Sequence, residues 1–193
     1  MSTITSILNG KELVRNRAAA GAILVVSFVM MLTLGAYIRI PVPFTPVPVT
    51  MQTFFVILAG AVLGRKLGLF TVFSYITLGA FGIPVFQGYG GGILHILGPT
   101  GGYLAGFMLS AYLVGYLSEI RRSAGFTYIL FSMLLGLLVI YVSGLLWLSV
   151  SLGVGLKNAV YMGLLPFLPG AIAKLVAASW VYYRIRTRTN ELV

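Results

Sequence analysis

The stretch PFLPGAIAK (166–174) contains the residue with the clearest potential for ligand chemistry, Lys174. The lysine lies ten residues before Arg184 in an apolar run, about 15 Å from that arginine along a helix. An ammonium group at this depth in an apolar helix needs a compensating partner. The three acidic residues of the chain, Glu12, Glu119 and Glu191, are all expected near the far end of this helix.

Three explanations of Lys174 follow from this arrangement. The amine is neutral because burial disfavours its charge, or it bonds only to backbone carbonyls and water, or an anion from outside the chain is its counter-ion. A small anionic ligand that reaches the lysine from an outer cavity explains the residue best.

The composition indicates whether the environment of this lysine is water or lipid. Of the 193 residues, 59% are hydrophobic and only 8% are charged, and the mean hydropathy is +1.02. Soluble domains contain about 25% charged residues. The chain is therefore predicted to be an integral membrane protein. It contains no cysteine, which excludes disulfides and thiolate metal sites.

Charged residues divide the chain into six predicted transmembrane helices within a single membrane domain, 1–193. About 20 apolar residues are needed to cross the hydrocarbon core. The predicted spans are 18–38, 50–64, 67–84, 99–118, 123–150 and 159–183.

The basic residues predict the orientation of these spans. With six helices, ten of the thirteen lysines and arginines fall on the side that contains both termini, and only Arg39 and Lys157 fall on the other side among the loop residues. The positive-inside rule places both termini in the cytoplasm. The net charge of +10 is thus a topology signal, aided by contact with anionic membrane lipid, and nucleic-acid binding is not expected. The ten residues are Lys11, Arg15, Arg17, Arg65, Lys66, Arg121, Arg122, Arg184, Arg186 and Arg188.

Three segments on the outer side are rich in proline and glycine, namely 41–54, 84–102 and 151–170. Irregular backbone near membrane depth persists only where protein or a water-filled cavity satisfies its polar groups. We therefore predict a ligand pocket that opens towards the outer face; the alternative is that the three segments are long external loops.

Three motifs, TPVPVTMQTF (45–54), GPTGGYLAGF (98–107) and GLLPFLPGAIAK (163–174), together closely resemble the BioY family. These proteins are the biotin-specific substrate-binding (S) components of energy-coupling-factor (ECF) transporters, and the resemblance covers nearly the whole chain from about residue 18. It implies six helices in the cell membrane and high-affinity biotin binding near the outer face. It also implies uptake driven by a transmembrane T component and two ABC ATPases. Biotin is a monoanion and would supply the counter-charge for Lys174.

One position departs from the family pattern, which is similar to PFLPGDxxK and has an acid where this chain has Ala171. Position 171 is one helical turn before Lys174 and on the same face. In the family, the acid would pair with the lysine or accept from the ureido N–H groups of biotin. Alanine does neither, so either other acceptors hold the ureido ring, or the affinity is reduced, or this chain is an altered variant.

Several further residues are candidate contacts for this ligand. Gln52 would bond the ureido group or merely cap a helix, and Tyr103 offers a ring and a hydroxyl after two glycines. Weaker candidates are Gln87 and Asn158, both in loops, and Phe44 with Thr45, which would form a lid over the bicyclic ring.

Two basic residues of the outer side receive no definite ligand role. We interpret the lone His95 as a loop histidine rather than a metal ligand, because no second ligand accompanies it. Arg39 either attracts anions at the pocket mouth or ends the first helix.

Small residues in the first span, Ala18 and Ala22, form a small-xxx-small pattern that permits close helix approach in lipid. The family resemblance implies that this surface docks the T component; internal packing is the alternative.

The chain has no Walker, GxSxG or HExxH motif, so we predict neither enzymatic activity nor a cofactor. The competing functional hypothesis is a self-sufficient secondary transporter or facilitator for a small organic anion, although coupled transport would usually need intramembrane acids.

Overall fold

The computed structural model describes residues 17–121 and 123–192, and side chains over 18–121 and 123–186. The helices are α1 (Arg17–Tyr37), α2 (Gln52–Ala80), α3 (Ile93–Leu97), α4 (Gly101–Ile120), α5 (Phe126–Leu152), α6 (Leu156–Gly163) and α7 (Leu168–Leu192). Strands β1 (Arg39–Ile40) and β2 (Val49–Thr50) pair antiparallel, and 3₁₀ turns cover Gln87–Tyr89 and Leu165–Phe167. Lys11, Glu12, Arg15 and Arg122 lie outside the described residues, and Arg17, Arg188 and Glu191 lie outside the described side chains.

Five stretches of the described chain are long and apolar enough to cross a membrane. They are Ala18–Tyr37, Gln52–Ala80, Gly101–Ile120, Phe126–Leu152 and Leu156–Arg186. Large apolar side chains such as Phe70, Phe131 and Trp180 are more than half exposed on the outside of the bundle. An apolar exterior of this extent is typical of a protein surrounded by lipid. The predicted all-α membrane class is confirmed.

Helix α2 consists of two antiparallel arms, 52–63 and 65–80, rather than one straight helix. Between the arms, Gly64 has φ 76° and ψ 179°, a conformation that glycine adopts readily because it has no Cβ. A Cβ added to Gly68 would come within 3.0 Å of the Cα of Gly60, whereas residues eight apart in a continuous helix are about 12 Å apart. The arms correspond to two of the predicted spans, 50–64 and 67–84.

The region of the last predicted span, 159–183, contains two helices in the structure. Helices α6 and α7 are separated by the 3₁₀ turn Leu165–Phe167. Pro166 lies in that turn and Pro169 in the first turn of α7, where a missing N–H donor breaks no helical hydrogen bond. The proline pair therefore sets where α7 begins.

Helix α4 packs between α2 and α5 at the centre of the bundle. Gly60 of α2 lies so close to Ala111 of α4 that a Cβ would clash with the Ala111 carbonyl. Gly106 of α4 approaches Ile140 of α5 in the same way. Small residues at such crossings allow the close packing that holds helices together in lipid. Helix α7 packs against α2 and α5 and so brings Lys174 towards the first arm of α2.

The basic residues Arg65, Arg121 and Arg184 lie at one end of the bundle. Arg65 begins the second arm of α2, and its Nε is 3.1 Å from Oε2 of Glu119. Arg121 directly follows α4. The tyrosine next to Arg184 packs edge-on against Phe126, where α5 begins. This grouping agrees with the basic side that the sequence predicts.

Candidate functional site

The opposite end of the bundle contains a cavity, the Lys174 cavity, between α2, α4, α5, α7 and the segments before α2 and α4. About 560 Å³ of space lies between its walls, part of it open to solvent. The lining residues are Val47, Pro48, Thr50, Gln52, Thr53, Tyr75, Phe86, Gln87, His95, Thr100, Tyr103, Leu104, Phe107, Tyr141, Phe167 and Lys174.

Lys174 reaches the cavity from the second turn of α7 and is only 8% exposed. Its Nζ donates a hydrogen bond to the Thr50 carbonyl at 2.8 Å, so the backbone-bonded alternative is part of the geometry. One carbonyl uses one of the three ammonium donors. Among the described side chains the one carboxylate belongs to Glu119, and that carboxylate pairs with Arg65 at the other end of the bundle. The cavity therefore contains a cation without an acid.

Gln52 and Tyr75 form a buried hydrogen-bond chain across the two arms of α2. The Nε2 of Gln52 donates to the Tyr75 hydroxyl at 2.6 Å, and that hydroxyl donates to the Val85 carbonyl at 2.9 Å. The Thr50 hydroxyl donates weakly to Oε1 of Gln52 at 3.4 Å. The chain fixes the amide of Gln52 at the cavity wall and leaves it a second N–H for a ligand.

Tyr103 contributes mainly its ring to the cavity. Its hydroxyl donates to the Gly163 carbonyl at 2.9 Å and so links α4 to the end of α6. Gly144 of α5 lies directly against the ring, where a Cβ would clash. The hydroxyl of Tyr103 is thus occupied within the protein, and the ring is held as an apolar surface.

A wall of aromatic rings completes the cavity, and sequence reasoning missed most of it. Phe86 packs edge-on against Tyr75 at 5.5 Å and stacks on His95 at 4.9 Å. Tyr141 and Phe167 line the same space from α5 and the turn before α7. In a chain this rich in apolar residues no local signal distinguishes these rings from ordinary core residues. His95, expected to lie in a loop, is in α3 and is part of this wall.

Thr53 is a second residue that the sequence did not single out. It follows Gln52 on the first arm of α2 and lines the cavity. Its Oγ1 is buried and has no hydrogen-bond partner among the described residues. Buried hydroxyls are usually bonded, since desolvation without a partner costs about 1–3 kcal/mol. The hydroxyl therefore has unused hydrogen-bonding capacity beside the cavity.

Four predicted contacts lie outside the cavity wall. Phe44 is 62% exposed, and the Thr45 hydroxyl accepts a hydrogen bond from the Val47 N–H within the proline segment. Asn158 is exposed on α6. Ala171, on α7, is 2% exposed and packs in the hydrophobic core. Of the predicted residues, the structure brings Lys174, Gln52, Tyr103 and Gln87 together.

The predicted docking residues Ala18 and Ala22 are both exposed on α1. They border an apolar groove between α1 and the second arm of α2, to which Leu67 and Phe70 also contribute. The groove is separate from the Lys174 cavity, with which it shares no lining residue. Within the described parts of the chain no cluster of three or more His, Cys, Asp or Glu residues could hold a metal.

Comparison with known proteins points to one family. The family model described as "BioY family" matches residues 8–191. A Pyrococcus horikoshii protein named "Probable biotin transporter BioY" is 45% identical over 167 residues, 86% of this chain and 96% of the relative. The Thermotoga maritima "Biotin transporter BioY" is 40% identical over 159 residues, 82% and 91% of the two chains.

A solved structure supports the same relationship in three dimensions. The fold is similar, with a TM-score of 0.83 and 27% sequence identity, to a crystal structure described as that of "the S-component for biotin from an ECF-type ABC transporter". The similarity covers 89% of this chain and 93% of the other.

Proposed function

The chain belongs to the BioY family, and from this membership we propose that it is the biotin-binding S component of an ECF-type ABC transporter in the cell membrane. The members named above are transporters and not enzymes. The observation that carries the proposal is Lys174, a buried cation at a cavity without a carboxylate among the described residues around it.

The cavity provides a separate kind of contact for each part of biotin. The ammonium of Lys174 pairs with the valerate carboxylate, since a charge-assisted hydrogen bond in a desolvated site is strong. The rings of Phe86, Tyr103 and Tyr141 cover the apolar bicycle. The free N–H of Gln52 donates to the ureido oxygen. The orphaned Thr53 hydroxyl accepts from a ureido N–H, which supplies an acceptor although position 171 is alanine.

The membrane arrangement in this proposal is that of the sequence prediction: one domain, 1–193, with six spans, cytoplasmic termini and an outward cavity. The break at Gly64 supports the sixth span, because it divides α2 into two arms. The basic residues at the end opposite the cavity support the orientation. No cofactor is needed for binding.

Transport in this proposal requires partners, a T component and two ABC ATPases, since the chain has no nucleotide-binding motif. The exposed surface at Ala18 and Ala22 docks the T component. Its small side chains allow the close helix contact that association in lipid requires.

Titration of the purified protein with biotin tests the function directly. Calorimetry, or the fluorescence of Trp147 and Trp180, should report saturable binding, and an absence of binding near millimolar biotin would contradict the proposal. Proteoliposomes that contain only this protein should bind biotin without transporting it. Uptake by the protein alone would favour the self-sufficient facilitator.

A further inference from the structure

His95 is the single histidine of the chain, and packing holds its ring at the wall of the Lys174 cavity. The ring lies 4.9 Å from Phe86 with an interplanar angle of 22°. Gly90 makes room for it, because a Cβ there would come within 2.6 Å of Nδ1. Nδ1 faces Gly90, and neither ring nitrogen has a side-chain hydrogen-bond partner among the described residues, so the imidazole at the cavity wall has unused hydrogen-bonding capacity.

The described groups around His95 include no negative charge. The titratable or charged side chains on the elements packed around it are Tyr37, Tyr75, Tyr89, Tyr103, Tyr141, Lys174 and Arg39. Glu119 lies at the far end of α4 and pairs with Arg65. An imidazolium at this position would therefore face cations and neutral groups, and a bound anion would be its nearest opposite charge.

We propose that His95 is a second basic group of the ligand site, and that its protonation strengthens the binding of an anionic ligand. This inference rests on the proposed function, in which the ligand is the biotin anion. Opposite charges in a partly buried site interact over several ångströms, so protonation should change the affinity roughly tenfold.

The sign of the pH dependence follows from the free and bound states. Burial lowers the pKa of His95 below its ordinary value, so the free protein holds a neutral imidazole near pH 7.5. A bound carboxylate favours the imidazolium and raises the pKa again. Binding therefore takes up a proton and tightens as the pH falls towards about 5.5, where a carboxyl with a pKa of about 4–4.5 is still ionised.

The test is the biotin dissociation constant of the full-length protein between about pH 8 and about pH 5.5, measured by calorimetry for the wild type and for His95→Phe. Phenylalanine keeps a flat ring against Phe86 but does not titrate. We expect roughly tenfold tighter binding by the wild type at the lower pH, and less than about a twofold change in the variant. Biotinamide has no carboxylate, so its affinity for the wild type should be independent of pH.

Two results would overturn the inference: a wild-type affinity that does not change with pH, or the same pH dependence in the variant. His95→Gln is a second non-titrating variant, which guards against a loss of folding in His95→Phe, and the same flat profile is expected of it. Wild-type protein that binds no biotin at any pH would contradict the proposed function itself, a different result from binding without pH dependence.

Discussion

Arg65 and Lys174 lie at opposite ends of the helix bundle and bond to different groups, a carboxylate for Arg65 and a backbone carbonyl for Lys174. Arg65 pairs with Glu119 at 3.1 Å, and the same carboxylate accepts the Arg65 backbone N–H at 2.9 Å. Lys174, in contrast, donates to one backbone carbonyl and is only 8% exposed. The less exposed cation thus has the weaker partner within the described protein.

The difference separates a structural charge from one that is available to a ligand. Glu119 satisfies a free N–H at the start of the second arm of α2, where a negative charge also interacts favourably with the helix dipole. The pair therefore stabilises the turn at Gly64. Lys174 borders a cavity and keeps two donors unused by described groups, and in the proposed function a bound anion supplies its counter-charge.

Replacement of Lys174 by methionine should have the largest effect, because it keeps the apolar stem and removes the charge. Loss of a charged partner in a desolvated site costs about 2–5 kcal/mol, so biotin should bind roughly thirty- to several-thousand-fold more weakly in calorimetry. Lys66→Met, at an exposed position beside Arg65, is the control and should bind normally. Normal binding by Lys174→Met would show that this lysine serves only the fold.

Ala22→Trp should abolish ATP-driven biotin uptake by the reconstituted complex while biotin binding stays unchanged. The indole would prevent close approach of a partner helix to α1, and Ala22 lies outside the Lys174 cavity. Phe131→Trp, on the exposed face of α5, is the matched control and should transport normally. Full uptake by Ala22→Trp would show that the docking surface lies elsewhere on the protein.

Thr53→Val should weaken biotin about two- to tenfold, since one neutral hydrogen bond contributes about 0.5–1.5 kcal/mol. Ser110→Ala is a close control, because Ser110 also has a buried hydroxyl without a described partner but does not line the cavity. Its biotin affinity should not change. Equal affinity losses in the two variants would indicate a general packing effect rather than a ligand contact.

Glu119→Gln should have the smallest effect and should act on stability alone. The paired side chains are 40% and 35% exposed, so the loss is about 1 kcal/mol. This corresponds to a fall of roughly 2–4 °C in the unfolding temperature, measurable from tryptophan fluorescence. A change in biotin affinity of more than about threefold would mean that the two ends are coupled, contrary to their separation in the structure.

The fold was predictable where the controlling feature is local. A crossing helix needs a sufficiently long apolar run, and Arg65 with Lys66 interrupts such a run at the turn of α2. The charge pattern gives 159–183 as one span, whereas the structure has α6 and α7 there, with Pro166 between them and Pro169 at the start of α7. The effect of these two prolines depends on the backbone path from α6 into α7, and a count of apolar residues carries no information about that path.

The candidate site was predictable only in its polar members. Lys174 and Gln52 stand out because they are polar residues in apolar surroundings, where such groups are costly and need a reason. Phe86, Tyr141 and His95 do not stand out, because their number and spacing resemble those of many other residues in this chain. They share one wall only because α3, α5 and the loop before α3 pack around α2 and α4.

The sequence by itself predicted an apolar lipid environment, the positions of most helices, the basic end of the bundle and a lysine that needs a partner. Each of these depends on composition or on short spacing. Tertiary structure alone decided which groups meet Lys174. It placed the Thr50 carbonyl 2.8 Å from the ammonium, left the Thr53 hydroxyl without a described partner and removed Ala171 from the cavity wall. These outcomes depend on contacts between residues up to 124 positions apart, and packing of the whole bundle sets such contacts.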